Sequence, residues 1–237
     1  MFHSRPARWG AVLWLGLHGA VAAGALGMAG GLRAPWPAPS GLFAAHACTA
    51  LFFLLFLWPI LIPAALRAEA GPAGGPGAAR VLPAHLLLYA ALGVPFALLG
   101  ARVSGTGAGE ALRSGAVVAA AGACVAAAFA GGRWASPRSA VLYQLAAWAV
   151  AAGAPFAYYL GREWGGADWA WLALLSPFRG AADPGAATAW GPLWAVQAGG
   201  LGLVAAVLGG AAALRGRAGR DAGAAQKALP SPAERDK

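Results

Sequence analysis

The apolar run LFAAHACTALFFLLFLWPILIPAAL, residues 42–66, decides the class of this protein. It contains no aspartate, glutamate, lysine or arginine, and as a helix it extends over about 37 Å. The hydrocarbon core of a bilayer is about 30 Å thick, so this run is long enough to cross it. Five further apolar runs alternate with short loops rich in charges, prolines and glycines. We therefore expect six spans, at about 10–32, 42–66, 83–101, 114–131, 139–160 and 192–214.

Composition points to the same class. Of the 237 residues, 59% are hydrophobic and 11% are charged, whereas a soluble domain carries about 25% charged residues. A water-soluble globule is excluded, and the predicted fold is an all-α polytopic membrane protein. We expect a cytoplasmic N-terminus at 1–9, a six-helix transmembrane domain at 10–214 and a disordered cytoplasmic tail at 215–237.

The net charge of +9 does not predict a nucleic-acid-binding protein, because the arginines lie in pairs between apolar runs. No basic stripe interleaved with aromatic residues is present. Cys48 and Cys124 lie inside apolar runs, far apart in sequence, with neither zinc-site nor covalent-haem spacing. We interpret both cysteines as small buried apolar side chains, and we expect no metal site.

The distribution of lysine and arginine predicts the orientation. Twelve of the 17 lie at the N-terminus, in the second and fourth loops and at the C-terminus, and the others lie on the opposite side. Because positive charge accumulates on the cytoplasmic side, both termini are expected in the cytoplasm. We expect a multi-pass protein of the bacterial inner (cytoplasmic) membrane, in contact with membrane lipid.

A half-length apolar segment, GGADWAWLALLSPFRG at 165–180, separates the last two predicted spans. Residues 169–178 would form a helix of about 15 Å, too short to cross the bilayer. Asp168 stands at an N-cap position, Trp169 and Trp171 follow it, and Ser176 with Pro177 ends the helix.

A second N-cap signal, Asp183 followed by Pro184, predicts another short helix that ends near Trp190. The predicted pair, 168–190, would either dip into the outer leaflet as a re-entrant segment or lie along the surface as an amphipathic hairpin. The sequence leaves both arrangements open. Our candidates for a substrate-facing or re-entrant surface are Asp168, Trp169, Trp171, Pro177 and Gln197.

Six spans, cytoplasmic termini and two short outer-face helices before the last span resemble the type-2 ABC exporter permease family. The stretch APFAYYLGREWGGADWAWLALLSPFRG, residues 154–180, carries the local resemblance, because such permeases reach a Ser-Pro or Asn-Pro element just before the final helix. The resemblance implies an export permease that pairs with a second permease subunit and is driven by a separate cytoplasmic ATPase. The chain itself has no G-x-x-x-x-G-K-[ST] nucleotide-binding motif.

Permeases of this family contact the ATPase through a helical segment between the second and third spans. Here that segment is RAEAGPAGGPGAAR, residues 67–80, whose glycines and prolines predict a loop rather than a helix. Its candidate contacts with an ATPase are Arg67, Glu69 and Arg80.

Three histidines, His18, His46 and His85, fall inside predicted spans and support an alternative function. Neutral imidazole is a common axial ligand of b-type haem, so a membrane redox protein is the second hypothesis. Counting from the predicted span starts, His18 and His85 approach each other on the inner side, about 9 Å apart in depth. His46 is then left without a partner, and the competing interpretation is that all three bond or pack between helices.

The remaining polar residues indicate no catalytic centre, and we expect no enzyme activity in this chain. No pair of acidic residues occupies a predicted span, and no nucleophilic triad or metalloprotease motif is present. Gln144 and Gln197 lie at depth in the fifth and sixth spans, where they would hydrogen-bond between those two helices or line a solute path, and we favour the hydrogen bond. A membrane scaffold subunit without its own chemistry is the third hypothesis.

Overall fold

The computed structural model describes residues 5–29, 39–70, 77–130, 137–165 and 171–228. Within these ranges the chain is almost wholly helical. Its α-helices are α1 (Arg5–Ala29), α2 (Leu42–Phe52), α3 (Trp58–Ala70), α4 (Gly77–Ser104), α5 (Ala108–Ala130), α6 (Pro137–Trp148), α7 (Ala154–Trp164), α8 (Leu172–Leu175), α9 (Pro177–Ala182) and α10 (Leu193–Ala228).

Six helical stretches in the described ranges are long and apolar enough to cross a membrane, which confirms the predicted all-α polytopic fold. These spans 1 to 6 are Arg5–Gly27, Leu42–Leu66, Val81–Ser104, Ala108–Ala130, Val141–Trp164 and Leu193–Arg215. We call the end of the bundle that contains Ser104 and Ala108 the distal end, and the end that contains Arg5 and Leu66 the proximal end.

Helices α1 and α10 continue beyond the predicted spans into polar sequence. α1 begins at Arg5, inside the N-terminus predicted at 1–9. α10 continues to Ala228, so the first part of the tail predicted to be disordered is helical. Its alanines, arginines, glutamine and lysine are good helix formers, and extending an existing helix needs no new nucleation.

Spans 2 and 5 each contain one wide helical turn, a π-helical segment. The segments are Phe53–Leu57, between α2 and α3, and Ala149–Gly153, between α6 and α7. Each is followed by a proline, Pro59 or Pro155, that lacks an N–H and whose ring meets the carbonyl four residues earlier. That carbonyl lies within the wide turn, which makes room for the ring.

Span 2 forms the centre of the bundle. In the most apolar 18-residue stretch of span 2, 61% of the residues are buried. The corresponding stretches of spans 5 and 6 are 11% and 6% buried. An aromatic core, packed around span 2 by spans 1, 3 and 4, includes the fully buried side chains Trp14, Phe53, Trp58, Tyr89 and Phe129. Spans 5 and 6 therefore present most of their surface outward, to lipid or to another chain.

The connection between spans 5 and 6 differs in part from its prediction. The first short helix ends at Leu175, as expected, but the second is α9, which begins at Pro177 rather than at Asp183. Proline fits the first position of a helix because its missing N–H has no partner there. Asp183 instead enters a turn that leads to a small antiparallel pair, β1 (Ala187–Thr188) with β2 (Gly191–Pro192).

The turn between β1 and β2 lies where the sequence predicted a helix that ends near Trp190. The Thr188 hydroxyl donates to the Gly191 carbonyl at 2.8 Å and accepts the Trp190 N–H at 3.1 Å. Gly191 has a φ of 120°, which a side chain would strongly disfavour. Local side-chain bonds and one glycine therefore favour a tight turn over a helix.

Candidate functional site

Residues 171–182, which we call the re-entrant segment, enter the bundle rather than lie on its surface. The Ser176 hydroxyl donates to the Ala151 carbonyl at 2.9 Å. Ala151 lies 13 residues before Trp164, the distal end of span 5, which corresponds to about 20 Å of helix. The Phe178 ring lies 6.4 Å, centroid to centroid, from Phe56 in span 2. The segment thus reaches the middle of the spans, which excludes the surface-lying arrangement.

Side chains from two spans also hold this segment in place. Ser114 of span 4 donates to the Ala181 carbonyl at 2.7 Å. Gln197 of span 6 donates through Nε2 to the carbonyls of Leu174, at 3.0 Å, and Ser176, at 2.7 Å. The ends of short helices leave carbonyls without helical partners, and at this depth no bulk water replaces them. The segment is therefore tied to the spans on either side of it.

The anchored segment is also packed. Ala181, at 0% exposure, lies in an apolar cluster with Leu51 of span 2 and with Val117 and Ala121 of span 4. Ser114 and Ser176 are 1% and 2% exposed, so both hydroxyls act in a site closed to solvent. The re-entrant segment is thus packed into the bundle, and three of its carbonyls accept side-chain hydrogen bonds.

Gly180 permits the closest approach in the site. A Cβ atom at this position would clash with Oε1 of Gln197 and would meet Cγ of Leu193 at 3.6 Å. Because only a hydrogen occupies this place, the Gln197 amide can reach both carbonyls of the segment. The glycine at position 180 therefore leaves the space that the Gln197 amide occupies.

The predicted candidates divide into three groups. Asp168 and Trp169 lie outside the described residues, so the N-cap prediction stays untested. Trp171 begins the re-entrant segment with 54% of its surface exposed, as for a ring at the membrane interface. Pro177 and Gln197 are buried, and Gln197 is an anchor of the segment.

Gln144 forms a hydrogen bond between helices, as predicted, but its partner is span 2 rather than span 6: its Nε2 donates to the Phe56 carbonyl at 2.7 Å and joins span 5 to the wide turn of span 2. Sequence reasoning missed Ser114 and Ser176 as anchors. A serine inside an apolar run, or a serine before a proline at depth, was the available signal. Its partner is a main-chain carbonyl, which no sequence motif identifies.

The Ser176 anchor yields a testable coupling with Pro155. Pro155 lacks the N–H that would bond to the Ala151 carbonyl, and the Ser176 hydroxyl bonds to that carbonyl instead. We expect Ser176→Ala to lower the free energy of unfolding by about 1–3 kcal/mol, measured by SDS titration in mixed micelles. In a Pro155→Ala background the restored N–H serves the carbonyl, and the same change should have less than half that effect. Equal effects in the two backgrounds would refute this account.

The three intramembrane histidines do not form the arrangement that the sequence predicted. The Nδ1 atoms of His18 and His46 lie 3.0 Å apart, within hydrogen-bonding distance, and both rings are buried. Phe96 of span 3 stacks on His18, with centroids 5.3 Å apart at 23°. The prediction that His46 has no partner was wrong, because α1 begins five residues earlier than expected and His18 consequently lies deeper toward the distal end.

His85 lies elsewhere on the same face of the bundle. It contacts Tyr89, with ring centroids 6.3 Å apart. Along span 3 it is 11 residues from Phe96, the residue that stacks on His18, which is about 16 Å of helix. The predicted approach of His18 to His85 is therefore wrong.

As the structure places them, His18 and His46 do not flank a haem, and the redox hypothesis stays a prediction. Two axial imidazoles must be separated by about 4 Å, twice a metal–nitrogen bond of about 2 Å, and the macrocycle must lie between them. His18 and His46 are closer than that, in direct contact, and Phe96 covers the His18 ring. What the pair does is join span 1 to span 2: one ring donates through Nδ1 and the other accepts, so their tautomers differ.

The predicted ATPase-contact residues lie at the proximal end. Arg67 and Glu69 belong to the last turn of α3, and Arg80 belongs to the first turn of α4. The prediction of a loop over the whole of 67–80 was therefore wrong at both ends. The described helices α3 and α4 have their termini at positions 70 and 77, at the proximal end.

Comparisons with protein-family models, with curated proteins and with solved structures find no match to this chain.

Proposed function

We propose that this chain is the membrane permease subunit of an ABC-type export system. The observation that carries the proposal is the re-entrant segment between spans 5 and 6, tied through side chains to spans 4, 5 and 6. A segment that ends inside the bilayer is tolerated where protein shields it, and such segments border substrate paths in membrane transporters. The family resembled by the sequence has short helices at this place.

The anchors offer a physical route for movement. A span that tilts or slides carries its serine or glutamine with it, and the hydrogen-bonded carbonyls of the re-entrant segment must follow or lose their partners. Rearrangement of the spans would thereby open or close the distal half of the bundle. This is the motion that a permease needs when a partner on the other side changes shape.

Two further features support the proposal that this chain binds an ATPase and a second permease subunit. α3 and α4 end in charged turns at the proximal end, which suit a cytoplasmic ATPase as docking positions. Spans 5 and 6 are the least buried spans, and their outward surfaces suit a second permease subunit. Under this proposal the proximal end faces the cytoplasm of a bacterial cell, in agreement with the excess of lysine and arginine on that side.

The test is co-purification with an ATPase. The full chain, carrying an affinity tag, is purified from membranes of its native host in mild detergent and passed over a second, size-exclusion column. We expect ATP hydrolysis to follow the chain through both columns and to be lost when the same chain is produced in an unrelated host. A chain purified from native membranes with no associated ATP hydrolysis would contradict the permease proposal.

A further inference from the structure

A groove lies between span 5 and the re-entrant segment, beside the anchor that Ser176 makes with Ala151. Its volume is about 410 Å³, and it opens toward the outside of the bundle. Its lining residues are Ala151, Pro155, Tyr158, Ser176, Phe178 and Arg179. From Ala151 to Tyr158 the groove follows span 5 for about 10 Å, so it runs from mid-bundle toward the distal end.

The wall of the groove is largely apolar. Ala151, Pro155 and Phe178 supply the wall. The Ser176 hydroxyl is engaged by the Ala151 carbonyl and does not offer its proton to the groove. An apolar channel open to the bilayer fits a hydrocarbon chain.

Arg179 places a positive charge on this groove without a described counter-charge. It is exposed, and its side chain has no hydrogen bond or ion pair within the part of the chain that the structure describes. Asp183, four residues further on, contributes only a main-chain N–H bonded to the Arg179 carbonyl at 2.8 Å. A charged side chain at membrane depth is costly unless it has an anionic or hydrogen-bonding partner.

Tyr158 adds a hydroxyl group to the lining of the same groove. Its hydroxyl oxygen accepts a hydrogen bond from Nη1 of Arg162 at 3.4 Å. The tyrosine proton is therefore available to another acceptor, and the neighbouring cation favours an anion in that position. The lining of the groove thus includes both a guanidinium group and a hydroxyl donor.

We infer that this groove binds an anionic lipid, with the acyl chain against Pro155 and Phe178 and the phosphate at Arg179 and Tyr158. The phosphate supplies a negative counter-charge for Arg179, and guanidinium groups match phosphate geometry. The inference rests on the proposed function in one respect: as the substrate of a permease, such a lipid would enter beside the re-entrant segment.

Native mass spectrometry of the full detergent-purified chain tests the inference, with dioleoylphosphatidylglycerol as the probe. We expect wild type to bind it at least tenfold more tightly than dioleoylphosphatidylcholine. Arg179→Gln should weaken phosphatidylglycerol binding about tenfold. Arg179→Lys keeps the positive charge, so its loss of binding free energy should be less than half of the loss caused by Arg179→Gln. The matched control is Arg102→Gln, which removes an exposed arginine at the distal end of span 3, away from the groove, and should leave binding unchanged.

The alternative results overturn the inference. Equal weakening by Arg179→Gln and Arg102→Gln would show general attraction to positive charge. Binding of sn-glycerol 3-phosphate as tight as that of the lipid would show a soluble phosphate site. Because Arg179 is exposed, the variant should keep the wild-type melting temperature, and loss of fold is thereby detected separately. Lipid binding is measured without any ATPase. A failure of lipid binding therefore does not affect the co-purification test, and a failure of co-purification does not affect the lipid-binding test.

Discussion

Gly180→Ala should displace Gln197 and release the re-entrant segment. The added methyl group would occupy the place of the Gln197 Oε1 atom, so the amide would have to leave the carbonyls of Leu174 and Ser176. Two carbonyls, one buried and one partly buried, would then lose these donors. We expect the free energy of unfolding, measured by SDS titration in mixed micelles, to fall by about 2–4 kcal/mol.

Gly185→Ala is the matched control. It adds the same methyl group five residues away, where the nearest atom, Oδ1 of Asp183, lies at an ordinary 3.6 Å. We expect a change within about 0.5 kcal/mol, as is usual for surface substitutions. If the two variants lost the same stability, the contact between Gly180 and Gln197 would not be what holds the segment.

The second large effect is expected at the histidine pair. His18→Leu leaves the Nδ1 atom of His46 buried without its partner at 3.0 Å, and His46→Leu does the same to His18. Each single change should lower the free energy of unfolding by about 2–3 kcal/mol. The double variant replaces both partners by apolar side chains of similar size and should lie within about 1 kcal/mol of wild type.

A double-mutant cycle on these four proteins measures the pairing. We expect a coupling free energy of at least about 2 kcal/mol, because the second substitution repairs the defect left by the first. Additive losses in the double variant would mean that the two rings act independently, and the hydrogen bond between them would be rejected.

The sequence predicted the membrane class and the six spans because apolar length is a property of the chain alone. The half-length segment was also recognisable, since Ser176 and Pro177 interrupt an apolar run too short to cross. Its depth was not predictable. Whether such a segment lies on the bundle or inside it depends on partners such as Ser114 and Ala151, which are distant in sequence.

The errors in the histidine arrangement have a local origin. The depth of His18 was counted from a predicted start at residue 10, whereas the helix begins at Arg5. Five residues are about 7.5 Å, enough to pair a histidine with the wrong neighbour. The wide turns before Pro59 and Pro155 were equally hidden, although prolines inside spans 2 and 5 were a visible signal.

The central claim, that this chain is a permease moved by a partner at its proximal end, is tested most directly by matched triple variants. Arg67, Glu69 and Arg80 are changed together to alanine in one chain. The control chain carries the same three residue types changed at the distal end, at Arg102, Glu110 and Arg113. Both chains are purified from native membranes, and the ATP hydrolysis that co-purifies is measured per mole of chain.

The account predicts that the proximal triple variant loses at least about nine-tenths of the co-purifying hydrolysis, a change of about 1.4 kcal/mol or more in association. The distal triple variant should retain the wild-type value. Equal retention by both chains, or no hydrolysis with the wild-type chain, would contradict the account.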